Sequence, residues 1–294
     1  MASSVQVGAV EITAVPELEI PTSVRWMLPD APQEDVERCR SWMQPHYMNA
    51  DGYLVQSIHT LLLRPVDGAI GPTMLVDTGV GNGKDRTGGI PAFHMLETPW
   101  VERLAAAGVQ PGDVDFVLCT HLHGDHCGWN TRRQDDRWVP TFPNARYLLV
   151  DREWEHWSNV AVDEPATARL IEDSVQPVFD AELVELVPPD HAVSDEVRLV
   201  PSHGHSLGHV TVEVHSEGAS AALIGDAMHT PLQCALPDLR PALDRDAEPA
   251  RFGRRAVLER YADTETLVLG AHFPMPPGRV RRDGDAYRFE AVEA

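Results

Sequence analysis

The stretch "DFVLCTHLHGDHCGWN", residues 115–130, constrains the fold more than any other part of the chain. A short, wholly apolar run reads as a buried strand, and it passes directly into a loop carrying His121, His123, Asp125 and His126. On an extended segment residues 121 and 123 point the same way, so two imidazoles can converge on one ion. Past the turn at Gly124, Asp125 and His126 can face a neighbouring ion. A loop leaving a strand end is also where sheets of α/β type place their sites. The segment therefore predicts a metal site at the rim of a sheet.

Apolar alternation marks further strands at "VGAVEITAV", "LVQSIHTLLL", "TMLVDTG", "ARYLLV", "ELVELV", "EVRLV", "HVTVEVHS", "SAALIGD" and "ETLVLGA". Helical patterns lie at "TPWVERLAAAG", "REWEHWS", "EPATARLIEDSV" and "EPARFGRRAVLERYA", with Thr98 before Pro99 and Gly108 as start and stop signals of the first. Paired strands recur without a helix between them. That disfavours a purely doubly wound parallel sheet and favours mixed sheets with helices outside. No repeat or long linker divides the 294 residues, 43% of them hydrophobic, so residues 1–294 are expected to form one domain.

Charge narrows the partners. With 45 acidic against 24 basic residues the net charge is −21, which repels phosphate backbones and anionic membranes. Small molecules are the expected partners, nucleic acid and membranes are not, and a homodimer is allowed. The start "MASSVQVGAVEITAV" has no basic region followed by an apolar run, and no segment reaches the roughly 18 apolar residues of a membrane span. Cys39, Cys119, Cys127 and Cys234 have no paired spacing, and reduced thiols in the cytoplasm are expected.

Two other motifs fail on context. "DTGVGNGKD" satisfies neither glycine-rich phosphate pattern, so it reads as a turn leaving a strand. "GHSLG" places Ser206 in the GxSxG pattern of serine hydrolases, but "HVTVEVHS" after it is strand and not helix. A serine hydrolase remains only as a lesser alternative.

Further polar residues follow buried-strand patterns downstream: His205 after "RLVPSHG", Asp226 after "AALIG", and His272 after "TLVLGA". Taken together, "LVDTG", "HLHGDH", "GHSLGH", "LIGDAMH" and "GAHFP" resemble the metallo-β-lactamase-fold hydrolase superfamily. The segments "GDAMHTPLQ" and "AHFPMPPGRV" are similar to its branch of methyl-parathion-hydrolase-like and lactonase-like enzymes. The resemblance implies a four-layer αββα sandwich, two mixed sheets with helices outside. It implies His121, His123 and His205 on one metal, Asp125, His126 and His272 on a second, and Asp226 bridging. Asp77 of "LVDTG" would organise the site from behind. His229 is expected beside the site or in its pocket, and Phe273 in the core or pocket wall, where it is the aromatic expected to touch substrate. Thr230 stands where many of that branch carry a second histidine. An aspartate at 226, where dizinc β-lactamases place cysteine, disfavours antibiotic hydrolysis. A glyoxalase-II-like basic carboxy-terminal region is missing, and charge disfavours the ribonuclease branch.

The neighbours of these residues are expected to be structural. His209 should pack beside the site without ligating, Cys127 should fill space, Trp129, Trp154 and Trp157 should be core or pocket wall, and "RFGRRAVLER" should present a solvated helix face. The expected function is a dinuclear metal hydrolase, zinc first with iron or manganese as alternatives. A metal-bridging hydroxide would attack a lactone, ester or phosphotriester, and Asp125 could pass a proton to the leaving group. An iron-dependent oxygenase on the same fold and a non-catalytic metal-binding scaffold are the alternatives.

Overall fold

The computed structural model describes residues 3–66, 68–244 and 246–293. The chain separates into two compact units: Met1–Leu18 with Ile58–His191, and Glu19–Ser57 with Ala192–Ala294.

The first unit is built on a seven-stranded sheet. Its strands are β1 (Ser3–Val7), β2 (Val10–Thr22), β3 (Leu54–Pro65), β4 (Met74–Val76), β5 (Phe116–Leu118), then β8 (Arg146–Val150) and β9 (Val184–Val187) beyond a separate hairpin, β6 (Thr131–Gln134) and β7 (Arg137–Pro140). Strands β4, β5, β8 and β9 run parallel, whereas β1 with β2 and β3 with β4 are antiparallel. Met74, Leu75 and Val76 are all buried, so both faces of β4 are covered, as its unbroken apolar run predicts. Helix Trp100–Ala106 packs Trp100 and Leu104 on Leu75, Val117 and Tyr147. Helix Asp151–Val160 adds Trp157, and the next helical run adds Leu170, Ile171 and Val175, around Cys119 and Leu149.

The second unit carries a six-stranded sheet in chain order: β10 (Val197–Pro201), β11 (Val210–Ser216), β12 (Ala219–Leu223), β13 (Leu267–Leu269), β14 (Gly278–Asp283) and β15 (Ala286–Ala291). Among the described residues of this sheet only the β12–β13 pair is parallel. Helices Gln33–Met43 and Ala247–Tyr261 cover it, with Cys39, Met43, Val257, Leu258 and Tyr261 meeting Ala222, Val268, Val280 and Phe289. Both sheets are mixed and both carry helices, the α/β class expected. Among the described residues no helix is long and apolar enough to cross a membrane.

Three local expectations change. Helix Trp100–Ala106 starts on Pro99 without a side-chain cap, and the Thr98 hydroxyl turns instead to Asn82, donating to its Oδ1 at 3.3 Å. The pattern "EPATARLIEDSV" holds a π-helical turn, Ile171–Val175, between α-helical segments. In "RFGRRAVLER" the side chain of Arg254 is buried, not solvated.

Candidate metal centre

In the first unit the register of β4 and β5 brings Asp77 and the 120–130 loop to the same sheet end, since Val76 pairs with Leu118. A ladder then joins the two loops: Thr78 N donates to His126 O, Gly128 N to Gly79 O and Trp129 N to Thr78 O, at 2.7–2.8 Å. The approach is so close that a Cβ on Gly128 would run into the Val80 carbonyl. Glu17, buried on β2, locks the bracket by accepting from Val80 N (2.6 Å), Gly81 N (3.1 Å) and Trp129 Nε1 (2.6 Å). Burial pushes its carboxyl above the usual range, against the pull of these donors.

The glycine-rich loop is thus a clamp on the histidine loop. Its Lys84 is wholly buried, donating to Thr131 Oγ1 (2.7 Å) and Asp173 O (2.8 Å) above the Trp138 ring. Burial lowers its pKa to about 8, opposed by Asp173. The Asp173 carbonyl lies in the π-helical turn, where the regular helical ladder is broken and the carbonyl can turn to the lysine.

Asp77 fixes the tautomers of two histidines. It sits at φ +56, a left-handed backbone that aspartate tolerates. Its Oδ1 accepts from Thr120 N (2.7 Å), and its Oδ2 from Thr120 Oγ1 (2.9 Å) and His126 Nδ1 (2.9 Å). A carboxylate only accepts, so His126 carries its proton on Nδ1 and turns Nε2 outward. Thr120 has given its hydroxyl hydrogen to Asp77, so its oxygen accepts from His121 Nδ1 at 3.1 Å. His121 Nε2 is therefore a lone pair, 2.9 Å from His123 Nδ1. The turn that closes with His126 N donating to His123 O places Asp125 Oδ1 3.7 Å from His126 Nε2. Glu153, absent from the sequence expectations, is buried and accepts from Leu122 N (3.1 Å) and Trp157 Nε1 (2.6 Å), which steadies the backbone between His121 and His123.

In the second unit the β10–β11 loop, the end of β12 and the end of β13 share one sheet edge, because Val212 pairs with Leu223 and Leu223 with Leu269. They carry His205, Asp226 and His272. His205 Nε2 lies 3.4 Å, His229 Nε2 3.4 Å and His272 Nε2 3.2 Å from the buried Asp226 carboxylate. Ser57 O, an acceptor, faces His272 Nδ1 at 3.2 Å. The proton of a neutral His272 then sits on Nδ1, and its bare Nε2 faces an anion. A lone pair held against a carboxylate suits a cation set between them or a charged ring, and buried imidazole and carboxylate donors match zinc and its neighbours.

The remaining expectations resolve residue by residue. His209 engages the protein through both nitrogens, with Nδ1 on Ser202 Oγ (2.8 Å) and Nε2 accepting from Asp226 N (2.9 Å), so it fixes the Asp226 backbone. His229 is wholly buried, and burial lowers its pKa against the pull of Asp226. Phe273 is core, packed edge-on to Phe289 at 5.5 Å. Thr230 is buried, its N–H donating to Gln233 Oε1 at 3.2 Å. Trp129 stacks on Trp100, Trp154 contacts Phe179, and Trp157 meets the His123 ring edge-on. Cys127 is buried, and that burial raises its thiol to about 12, so it is an inert filler. Ser206 lies in a loop between two strands, without the helix that a nucleophile elbow needs.

Comparison with known proteins identifies the fold and the family. N-acyl homoserine lactonase AiiA of Bacillus thuringiensis subsp. kurstaki is 25% identical over 166 residues, 56% of this chain. The match spans only 59% of the lactonase's own length. Among solved structures, the hydrolase AbOPH of the beta lactamase superfamily superposes with a TM-score of 0.80 at 22% identity, covering 100% of this chain and 98% of its own. AidC, a dizinc quorum-quenching lactonase in complex with a product, gives 0.76 at 19% identity over 100% of this chain and 98% of its own. The fold is therefore of the metallo-β-lactamase type, and the superfamily's domain signature matches residues 57–272. The chain belongs to the metallo-beta-lactamase superfamily.

Proposed function

We propose that the chain is a two-metal hydrolase of small-molecule lactones, with carboxyl esters and phosphotriesters as related substrates. N-acyl homoserine lactones, the substrates named for its lactonase relatives, are the first to try. In this reading His121, His123 and His205 hold one ion, Asp125, His126 and His272 the other, and Asp226 both. The observation that carries it is the Asp226 carboxylate faced by three imidazole nitrogens, at least one of which, on His272, has its proton committed on the far side.

Two divalent cations, zinc first, would supply a nucleophile from water at neutral pH and polarise the scissile oxygen. The chain's own residues do the rest. Asp77 presents His126 Nε2 directly and His121 Nε2 through Thr120, so both rings are oriented before any ion arrives. His209 holds the Asp226 backbone. Asp125 keeps a partly exposed carboxylate, whose Oδ2 can carry a proton to the leaving oxygen.

The test is proton release by zinc-loaded protein against lactones, esters, phosphotriesters and phosphodiesters, with Asp226→Ala as control. Lactone turnover should fall more than about 100-fold in the variant, together with bound zinc. Turnover that survives Asp226→Ala sinks the reading. Oxygen consumption by an iron-loaded protein would replace it with an oxygenase.

A further inference from the structure

Behind His205 the second unit buries a second carboxylate and an arginine that no sequence motif announced. Asp244 Oδ1 lies 3.1 Å from His205 Nδ1, and Asp244 Oδ2 accepts from Arg254 Nη1 at 3.3 Å. Arg254, on helix Ala247–Tyr261, also donates from Nε to Pro237 O (2.8 Å) and from Nη2 to Leu239 O (3.0 Å). Asp244 and Arg254 are 2% and 1% exposed. The two groups form one ordered chain, from helix to segment 237–244 to the histidine.

Two functions could account for it. His205, His229 and Asp244 each offer an atom within 4.8 Å of the other two, which would suit an extra cation. The guanidinium decides against that: it already neutralises Asp244, and a cation placed there would meet Arg254 at close range. A carboxylate fully occupied by Arg254 and an imidazole N–H is instead the arrangement that fixes a ligand's tautomer from behind.

We propose that Asp244 and Arg254 are positioning residues for His205. Asp244 holds the proton on Nδ1 and aims Nε2 at the Asp226 side, and Arg254 holds Asp244. This rests on the two-metal reading above. It adds a structural consequence: the orientation of one ligand depends on the docking of segment 237–244 onto helix Ala247–Tyr261, far along the chain from the histidine motif.

Cobalt(II) titration of the metal-free full chain, followed by its visible absorption bands, tests the proposal without relying on turnover. Asp244→Asn should bind one of the two ions about 10–100-fold more weakly and change that ion's bands, and Asp244→Glu should recover part of the loss. A folded Asp244→Asn protein with unchanged affinity and bands overturns the proposal and leaves the two-metal reading intact. If Asp244→Asn does not fold, long-range proton–nitrogen spectra of the cadmium-loaded natural chain decide. A proton on His205 Nδ1 with the metal on Nε2 is the expected result, and metal on Nδ1 overturns it. A natural chain that takes up no cobalt removes the function on which the proposal stands.

Discussion

At the scale of single residues, the site depends on which nitrogen of each histidine carries the proton. Asp77 settles this for His126 and, through Thr120, for His121. Asp77→Asn keeps the volume but puts an N–H donor where a carboxylate oxygen accepted, so one of Thr120 and His126 must turn. The expected result is a 10–100-fold loss of zinc affinity, measured by competition with a chromophoric chelator. An affinity within twofold of the natural chain would mean that Asp77 does not set the ring orientations. The candidate ligands stood out in the sequence because their residue types cluster after strand patterns. Glu17, Glu153, Asp244 and Arg254 were not, because a buried carboxylate far along the chain has no local signature. Arg254 was misleading outright: the run "RFGRRAVLER" has the look of a solvated face, and the buried Asp244 carboxylate with the Pro237 and Leu239 carbonyls explains why one arginine turns inward.

At the scale of elements, the loops 77–81 and 126–130 behave as one unit, joined by backbone ladder bonds and clamped by Glu17. Gly128 is the tightest point, and backbone has no rotamer with which to yield. Gly128→Ala should therefore cost about 3 kcal/mol or more and reduce metal binding with it, whereas Gly112→Ala, whose Cβ would meet only Asn144 at 3.7 Å, should stay within about 0.5 kcal/mol. Urea unfolding of the two variants side by side checks this, and equal midpoints would show that the ladder relaxes freely. Strands were the legible elements, since apolar alternation reports a face directly. Helix Gln33–Met43 was missed because it buries only Cys39 and Met43, too thin a stripe to stand out. The hairpin β6–β7 hides in "TRRQDDRWVP", where the signal is its turn: Asp135 and Asp136 both take positive φ, as a tight hairpin turn requires. In β14–β15 the turn pair is Gly284–Asp285, with Gly284 at positive φ.

At the scale of the whole molecule, a net charge of −21 sets the background against which any one ion pair is felt. Acidification neutralises carboxylates and relieves that self-repulsion, so on charge alone the fold should tolerate a moderate fall in pH. Glu213 acts in the opposite sense. Burial would raise its pKa, but hydrogen bonds from Arg260, His215, Arg198 and Tyr261 bring it down to about 2. It ties β11 to helix Ala247–Tyr261, the helix that also carries Arg254. Because the folded pKa lies below the unfolded value, the unfolded chain takes up the proton first. The stability from this cluster is then fully present above about pH 4.5 and drains away as pH falls towards about 2. Arg198 and Arg260 are about half exposed, and solvent screening reduces the contribution to on the order of 1–2 kcal/mol. Glu213→Gln should thus be less stable than the natural chain by that amount near neutrality, with the gap closing between about pH 4.5 and about pH 2. Urea unfolding of metal-free protein along that pH series measures it directly. A gap that stays constant with pH would assign the role of Glu213 to packing, and a gap that widens on acidification would contradict the depressed pKa itself.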